Sequence, residues 1–331
     1  MRVSVLGLGY VGCTLLTCLA SDGHTVIGVE RDPEKAEAIR AGRLPVIEHD
    51  LNSAFLRARD RIAIIPDTVQ AVLESDMTFV CVGTPTGTDG FNYDQLLAAC
   101  EQIGRGLRLK DADHLVAIKS TLLPGTLRTL VQPALERASG KRAGEAYGLA
   151  VNPEFLREGS ALSDFYRPPF TVIGLDNPES GRSEQWLAML KVVFEWVMPP
   201  VIVVRPEEAE MLKLACNAFH ALKVTFANEI GNLARAVGAD SQVVMHVFAR
   251  DTKLNLSPYY LRPGFAFGGS CLPKDVSALN ALADQYDLAT PVLRAILASN
   301  DDQLDLMLLA VQQAGARSVG VVGLAHKPGT D

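Results

Sequence analysis

The sequence has no apolar run long enough to span a bilayer, and its start lacks the charged n-region, long hydrophobic stretch and small-residue cleavage site of a secretory signal. Instead Met1 leads straight into Arg2-Val3-Ser4-Val5-Leu6, the pattern of a buried strand. Cysteine is scarce: six residues, at 13, 18, 81, 100, 216 and 271, none in a CxxC spacing. That removes the usual zinc and disulfide frameworks, so no metal is expected, and a reducing, cytoplasmic location is. Positive charge is not in excess. A net charge of -7 gives no general attraction to nucleic acid or to an anionic membrane, although local Lys and Arg still set the field inside a cleft. Internal repeats and low-complexity tracts are absent, which removes solenoid architectures.

What is present is a chain of 331 residues, too long for one ordinary core, with the apolar and charged content of a globular protein. Short apolar segments at 2–6, 25–29, 77–82, 114–119, 147–151, 170–175 and 200–204 alternate with amphipathic stretches. This alternation predicts an α/β fold with a doubly wound, mainly parallel sheet. The pattern changes at Pro206. From Glu207 to about Val237 there is no Pro and one Gly, at 231, while Met211, Leu214, Ala218, Leu222, Phe226, Ile230 and Leu233 recur at helical spacing. One long helix is predicted there, then more helix to about Ala314, interrupted by a loop rich in Pro, Gly and aromatics at 258–270. Residues 317–324 read as another buried strand. The expected organisation is a sheet domain at 1–205, a helical central domain at 206–314, and at 315–331 the first strand of a third domain that the chain does not complete. The helix from 207 is too apolar for one small domain to cover, which predicts a homodimer.

Gly7-Leu8-Gly9-Tyr10-Val11-Gly12 follows the first strand and opens a helix. In such a turn Gly7 permits the sharp bend, Gly9 lets a pyrophosphate approach the backbone, and Gly12 lets helix and strand pack closely. The helix start then faces the phosphates with free N–H groups and the positive end of its dipole. Glu30, at the end of the second strand, stands where an acid binds the ribose hydroxyls of NAD and repels the 2′-phosphate of NADP. NAD is therefore the expected cofactor of a Rossmann-type domain. Arg31 is a residue type that accommodates a 2′-phosphate, and Lys35 reads either as a surface charge or as a cofactor contact.

The segment Phe267-Gly268-Gly269-Ser270-Cys271-Leu272-Pro273-Lys274-Asp275 carries the most chemical information. A free Cys is usually a small buried hydrophobe, the role expected of Cys13, Cys18, Cys81, Cys100 and Cys216 inside helices or a strand. Cys271 differs, since two glycines precede it and it falls near a helix start with Lys274 nearby, features that favour a thiolate. A cysteine nucleophile beside a hydride acceptor suits oxidation of an alcohol to an acid, with the aldehyde trapped as a thiohemiacetal and released as a thioester.

At this point the sequence resembles the UDP-glucose/GDP-mannose dehydrogenase family over essentially its whole length. The carrying motifs are GLGYVG (7–12), VGTPT (82–86), STLLPGT (120–126), NPEFLREG (152–159), EAEMLKLACNAFHALKVTFANEIGN (208–232), FGGSCLPKD (267–275) and GLAHKPGTD (323–331). The resemblance implies a four-electron oxidation of a nucleotide sugar at C6, and the run 253–275 leans toward members acting on GDP-mannose rather than UDP-glucose. It implies Cys271 as nucleophile and Glu154 as the acid/base for thioester hydrolysis. Lys213 and Asn217 would steady the oxygen of the reacting carbon, and Thr121 and Asp275 would hold the hydrolytic water. NAD contacts are implied for Tyr10, Val11, Glu30, Lys35, Thr86, Thr121, Glu158, Lys274 and Lys327. Substrate contacts are implied for Glu158, Lys213, Asn217, His220, Asn228, Tyr259, Tyr260, Arg262 and Phe265, some of them shared across subunits of a homodimer.

Some of this has independent physical support. Lys213 and Asn217 are i and i+4, on one face of the predicted helix. A cation and an amide donor aimed at a developing alkoxide would stabilise hydride removal. Glu154 follows Asn152-Pro153 at a strand end, where parallel-sheet enzymes place their chemistry. Three features depart from the family pattern: Glu30 replaces the more usual Asp, His326 stands where Phe is common, and the third domain, which holds the substrate's nucleotide, is almost wholly missing. Two other readings compete. One is a one-step dehydrogenase of the 6-phosphogluconate or 3-hydroxyacid type, and the other a non-enzymatic NAD-binding assembly protein. The intact motifs around Cys271, Lys213 and Glu154 argue against both.

Overall fold

Strands and helices largely alternate from Arg2 to Val204 in a computed structural model, which describes residues 1–87, 90–176, 181–197, 201–257, 266–267, 271–315 and 317–320. The order is β1 (Arg2–Leu6), α1 (Tyr10–Ser21), β2 (Thr25–Val29), α2 (Pro33–Arg40), α3 (Leu51–Ala58), β3 (Ile62–Ile65), α4 (Thr68–Glu74), β4 (Met77–Val80), β5 (Thr86–Gly87), β6 (Gly90–Phe91) and α5 (Asp94–Leu109). Next come β7 (Leu115–Ile118), α6 (Gln132–Ser139), β8 (Gly148–Val151), α7 (Ala161–Tyr166), β9 (Thr171–Gly174), α8 (Gly181–Val193) and β10 (Val201–Val204). The rest is helical: α9 (Pro206–Ala236), α10 (Ser241–Phe248), α11 (Cys271–Gln285) and α12 (Pro291–Gln313). Two compact units result, Met1–Cys216 and Asn217–Asp331, with the division falling within α9.

In the first unit eight strands form one sheet in the order β10-β9-β8-β7-β4-β1-β2-β3. Neighbours run parallel except β8 and β9, which meet antiparallel at Val151 and Gly174. β5 and β6 make a separate antiparallel pair. The apolar runs work because a strand alternates its side chains between two faces and here both faces are covered. Val3, Val5, Phe79, Leu115 and Ala117 join one cluster with Leu15, Leu16 and Leu19 of α1 and Trp186 of α8. Leu6, Val80, Val116 and Ile118 join the other with Leu96 and Ile103 of α5 and Leu135 of α6. Each such side chain, fully buried, contributes about 1.5–3 kcal/mol.

Every expected strand position in the first 205 residues is occupied, with the ends of several trimmed. β3 and the β5–β6 pair were not expected. β3 has only four residues, follows the charged Arg59-Asp60-Arg61, and sits at the edge of the sheet where its faces are partly exposed. In the middle of the sheet, at β1 and β4, a buried polar chain links Ser75, Ser4, Thr78 and His114, whose Nε2 lies 2.8 Å from Thr78 Oγ1 and Nδ1 3.0 Å from Ser75 O.

In the second unit the described core is small: Leu233, Ala283 and Leu293, with Phe226, Ile230, Leu279, Leu282, Leu288 and Ile296 packed partly buried around them. Glu229 fastens it, accepting from the backbone N–H groups of Val292 (2.9 Å) and Leu293 (3.0 Å) at the start of α12. The predicted long helix is α9, within one residue at either end. Of the strand expected at 317–324, residues 317–320 carry no strand and the remainder lies outside the described residues.

Candidate active site

The turn between β1 and α1 is built by exclusion of side chains. Gly7 has φ +86°, and a Cβ there would stand 3.0 Å from Cys81 O and from Val82 N. A Cβ on Gly12 would stand 2.0 Å from Gly7 O, so only glycine lets helix and turn approach this closely. A Cβ on Gly9, by contrast, would meet nothing within 4 Å. The protein's own packing does not require glycine at 9, so the clearance there is left for a ligand. Cys13 N donates to Gly9 O (2.9 Å), which leaves the N–H groups of Tyr10, Val11 and Gly12 at the open helix end.

In front of this end lies a cavity of about 440 Å³ whose walls include Gly9, Tyr10, Val11, Glu30, Lys35 and Thr121. Glu30 stands at the end of β2 with Oε2 2.7 Å from Lys35 Nζ, and its Oε1 accepts from Asp32 N (3.2 Å). Lys35 is thus tied to the acid and itself lines the cavity. Open backbone donors at one end and a fixed carboxylate at the other fit the pyrophosphate and ribose of NAD.

A second set of contacts holds the loop at 152–160 over this turn. The Tyr10 hydroxyl lies 3.0 Å from Glu48 Oε2 and 2.7 Å from Arg157 O. Glu48 also accepts from Gly159 N (2.9 Å) and Ala161 N (3.2 Å). Burial would raise the Glu48 carboxyl, but these hydrogen bonds outweigh it and hold the group below its ordinary value. Burial, and then the Glu48 partner, push the Tyr10 phenol up, so it stays a donor.

Glu154 extends from the same loop into the cavity wall. Its Oε1 lies 2.9 Å from Lys213 Nζ, and its Oε2 accepts from Leu156 N at 2.7 Å. Lys213 is 7% exposed and its ammonium sits 5.5 Å from the Phe155 ring centroid, so the pair is largely desolvated. The ladder that presents Lys213 begins two turns earlier on α9. Glu207 pairs with Arg128, buried Glu210 accepts from Gly125 N (2.5 Å) and Leu127 N (2.8 Å), and Lys213 follows. Spacing of three puts all of them on one helix face. Burial raises the Glu210 carboxyl above its ordinary value, with the two backbone donors opposing.

Thr121 lines the cavity, and its carbonyl accepts from Thr84 Oγ1 at 3.1 Å. Lys119, at the end of β7, is buried there too; burial pulls its amine below the ordinary lysine range, against the pull of Cys81 and Glu154. Cys81 departs from its expected core role. It falls just past β4, is half-buried, and lines the cavity, while desolvation pushes its thiol up to about 12 and keeps it protonated. Cys216 is likewise half-buried rather than core. Glu158 stands on an exposed turn, and Asn217, His220 and Asn228 are exposed positions of α9.

Several expected site residues lie wholly or partly outside the described residues. Tyr259, Tyr260, Arg262, Phe265 and Lys327 lie outside altogether. Cys271 opens α11, which also carries Lys274 and Asp275, but their side chains, like that of Thr86 in β5, are not among the described ones. Lys119, Glu48, Glu210 and Thr84 were not singled out from the sequence. For Lys119 there was a signal: a charge that ends the wholly apolar run Leu115–Ile118. For Glu48 there was none, since its partners lie 38 to 113 residues away.

A glycine turn, an acid closing the second strand and a carboxylate paired with a buried amine, all three on one cavity through Gly9, Glu30 and Glu154, define a dinucleotide-dependent dehydrogenase of the Rossmann class. Comparison with known proteins narrows the class. Residues 1–196 match the NAD binding domain of the UDP-glucose/GDP-mannose dehydrogenase family, and residues 207–302 match its central domain. The chain is 44% identical to a GDP-mannose 6-dehydrogenase of Pseudomonas aeruginosa over all of its own length and 75% of that protein. It is 36% identical to UDP-glucose 6-dehydrogenase AglM of Haloferax volcanii, over all of its length and 77% of the relative. Among solved structures, a ternary complex of GDP-mannose dehydrogenase from Pseudomonas aeruginosa superposes with a TM-score of 0.96 at 44% identity, covering 100% of this chain and 75% of that one. The chain belongs to the UDP-glucose/GDP-mannose dehydrogenase family, as an NAD-dependent nucleotide-sugar dehydrogenase.

Proposed function

We propose that the protein oxidises the C6 alcohol of GDP-mannose to the acid, in two hydride steps joined by a covalent adduct on Cys271. The observation that carries the reading is Glu154, on the wall of the cavity that the glycine turn opens and paired with buried Lys213. NAD, when bound, supplies the acceptor for both oxidations. In this reading Lys213, with Asn217 one turn further along α9, stabilises negative charge on the C6 oxygen. The Cys271 sulfur bonds to the aldehyde carbon, whose oxygen takes up a proton, and the second oxidation leaves a thioester. Water then adds to that carbon, the C–S bond breaks, and the sulfur leaves as thiolate. Glu154 accepts the proton of the attacking water. Thr121 and Asp275 position the water.

GDP-mannose is favoured over UDP-glucose by the identity of 44% to a relative named for the former against 36% and 34% to relatives named for the latter. Among described residues no helix is long and apolar enough to cross a membrane. We place the domains at 1–205 and 206–314, with a third beginning at 315, and the protein as a cytoplasmic homodimer. Support for the dimer is the apolar surface left on the second unit, including Phe219, Leu222, Val247 and Leu308. The test is to incubate the enzyme with NAD and GDP-mannose and to count NADH per acid, in wild type and in Cys271→Ser. Two NADH per acid, with acid formation lost in the variant, is expected. Acid formed at the normal rate by Cys271→Ser would overturn the reading.

A further inference from the structure

Two buried lysines face the loop that carries Glu154, and the proposed chemistry gives a task to Lys213 but none to Lys119. Lys119 Nζ lies 2.9 Å from Asn152 Oδ1 and 3.3 Å from Asn152 O, with the rings of Phe79 and Phe194 at 5.9 and 5.8 Å. Among the described residues it has no carboxylate within ion-pair distance. An amine held this far from water is costly, and an apolar side chain of the same length would fill the space at less cost. The amine is therefore best explained by what it holds.

We propose that Lys119 is a positioning residue for Glu154, an inference that rests on the hydrolytic role given to Glu154 above. Asn152 is the link. Its backbone N donates to Ile118 O (2.8 Å), its Nδ2 donates to Val172 O (2.8 Å), and both of its oxygens face Lys119. The side chain is thus clamped between the ends of β7 and β9. Pro153 follows, with φ fixed by its ring, so the orientation set at Asn152 passes to Glu154 with one torsion fewer to absorb it.

The clamp matters because packing alone does not fix the loop. A second cavity, of about 40 Å³, is lined by Phe155, Phe165 and Phe170 of the loop and its surroundings together with Lys119, Asn152 and Glu154. That space lets a side chain of the loop shift by about the width of a water molecule once the loop is released at its foot. Glu154 would then keep its bond to Lys213 at a shifted position while losing its aim at the attacking water. The two oxidations do not require that aim, and the hydrolysis does.

The test is rapid mixing of the enzyme with NAD and GDP-mannose, following NADH release. For Lys119→Met we expect a burst of two NADH per active site, as in wild type, followed by a steady state slowed about 10²-fold, the scale of a misplacement of roughly 1 Å. NAD affinity should be unchanged. Asn152→Leu cuts the same link from the other side and should slow the same phase. The double variant should be no slower than the slower single, since the two side chains act as one unit. A purely structural role would lower burst and steady state together, or give additive effects, and either result overturns the assignment. So does an unchanged steady state in both variants. If Lys119→Met does not fold, Asn152→Leu decides alone, and failure of both to fold makes the clamp a folding element and ends the proposal. A wild type that releases one NADH per product overturns the thioester reading itself, whereas two NADH with unaffected variants overturns the role of Lys119 only.

Discussion

The two units of the chain treat apolar side chains differently. Met1–Cys216 sandwiches a sheet between helices, and residues such as Leu16, Phe79 and Leu96 are sealed on both of its faces. In Asn217–Asp331 the described core is a handful of residues around Leu233 and Leu293, while Leu306, Leu308, Leu309, Val243 and Val247 remain exposed. The same residue types therefore carry different information. In the sheet unit a leucine reports on stability. In the helical unit it reports on a surface that has yet to be covered, which is the physical ground for the proposed homodimer. Helix α9 serves both units, and uses one device in each: a buried glutamate that caps the start of another helical segment, Glu210 for 125–127 and Glu229 for α12.

The largest expected effect tests whether the sheet unit's end of α9 is where the chemistry lies. Lys213→Ala should lower turnover about 10²–10³-fold with NAD binding retained, measured by steady-state kinetics and by titration. A variant with near-normal turnover would move the site elsewhere. Next, Leu96→Ala in the sheet unit should cost about 2–5 kcal/mol in urea unfolding, whereas Leu308→Ala should stay within about 0.5 kcal/mol in the separated protomer. Comparable losses at both positions would erase the contrast between the units. Glu210→Gln and Glu229→Gln should each cost about 1–3 kcal/mol, because a backbone donor in each loses its acceptor. A loss at one alone would show that the two caps are not equivalent.

A further effect is a pH slope that arises in the sheet unit. Burial, with Lys110 beside it, lowers His114 from its ordinary 6.5 to about 3. The unfolded chain takes up a proton near 6.5 that the folded chain refuses until about 3, so stability present above 6.5 is lost as pH falls through that window. The slope is about 1.4 kcal/mol per pH unit. Melting at pH 7 and pH 5 should show it in wild type, and His114→Gln should flatten it.

Much of this architecture was legible in the residues. Apolar runs bounded by turns gave the main strands, because a strand buried on both faces reads as continuous hydrophobicity. The absence of Pro and the helical recurrence of Met211 to Leu233 gave α9. β3 escaped because an edge strand needs few residues and keeps a polar flank. At the site, the glycine turn and Glu30 were legible because their chemistry is local. Glu154 and Lys213 lie 59 residues apart, and only the family motifs brought them together beforehand. Lys119 and Glu48 were missed for the same reason, since a clamp is a relation between distant positions, and each looks like an ordinary charge where it stands. Cys81 was misjudged because a strand read two residues too long hid the fact that it emerges at the cavity.

The fastening of α9 at positions 207, 210 and 213 places a constraint on length rather than on residue type. Each residue of an α-helix turns the next by about 100°. One residue inserted or deleted between Glu207 and Lys213 would leave every side chain intact yet swing the ammonium about 100° around the helix, away from Glu154. This stretch should accept substitutions at its outward positions, such as exposed Met211, far more readily than it accepts any change in its count.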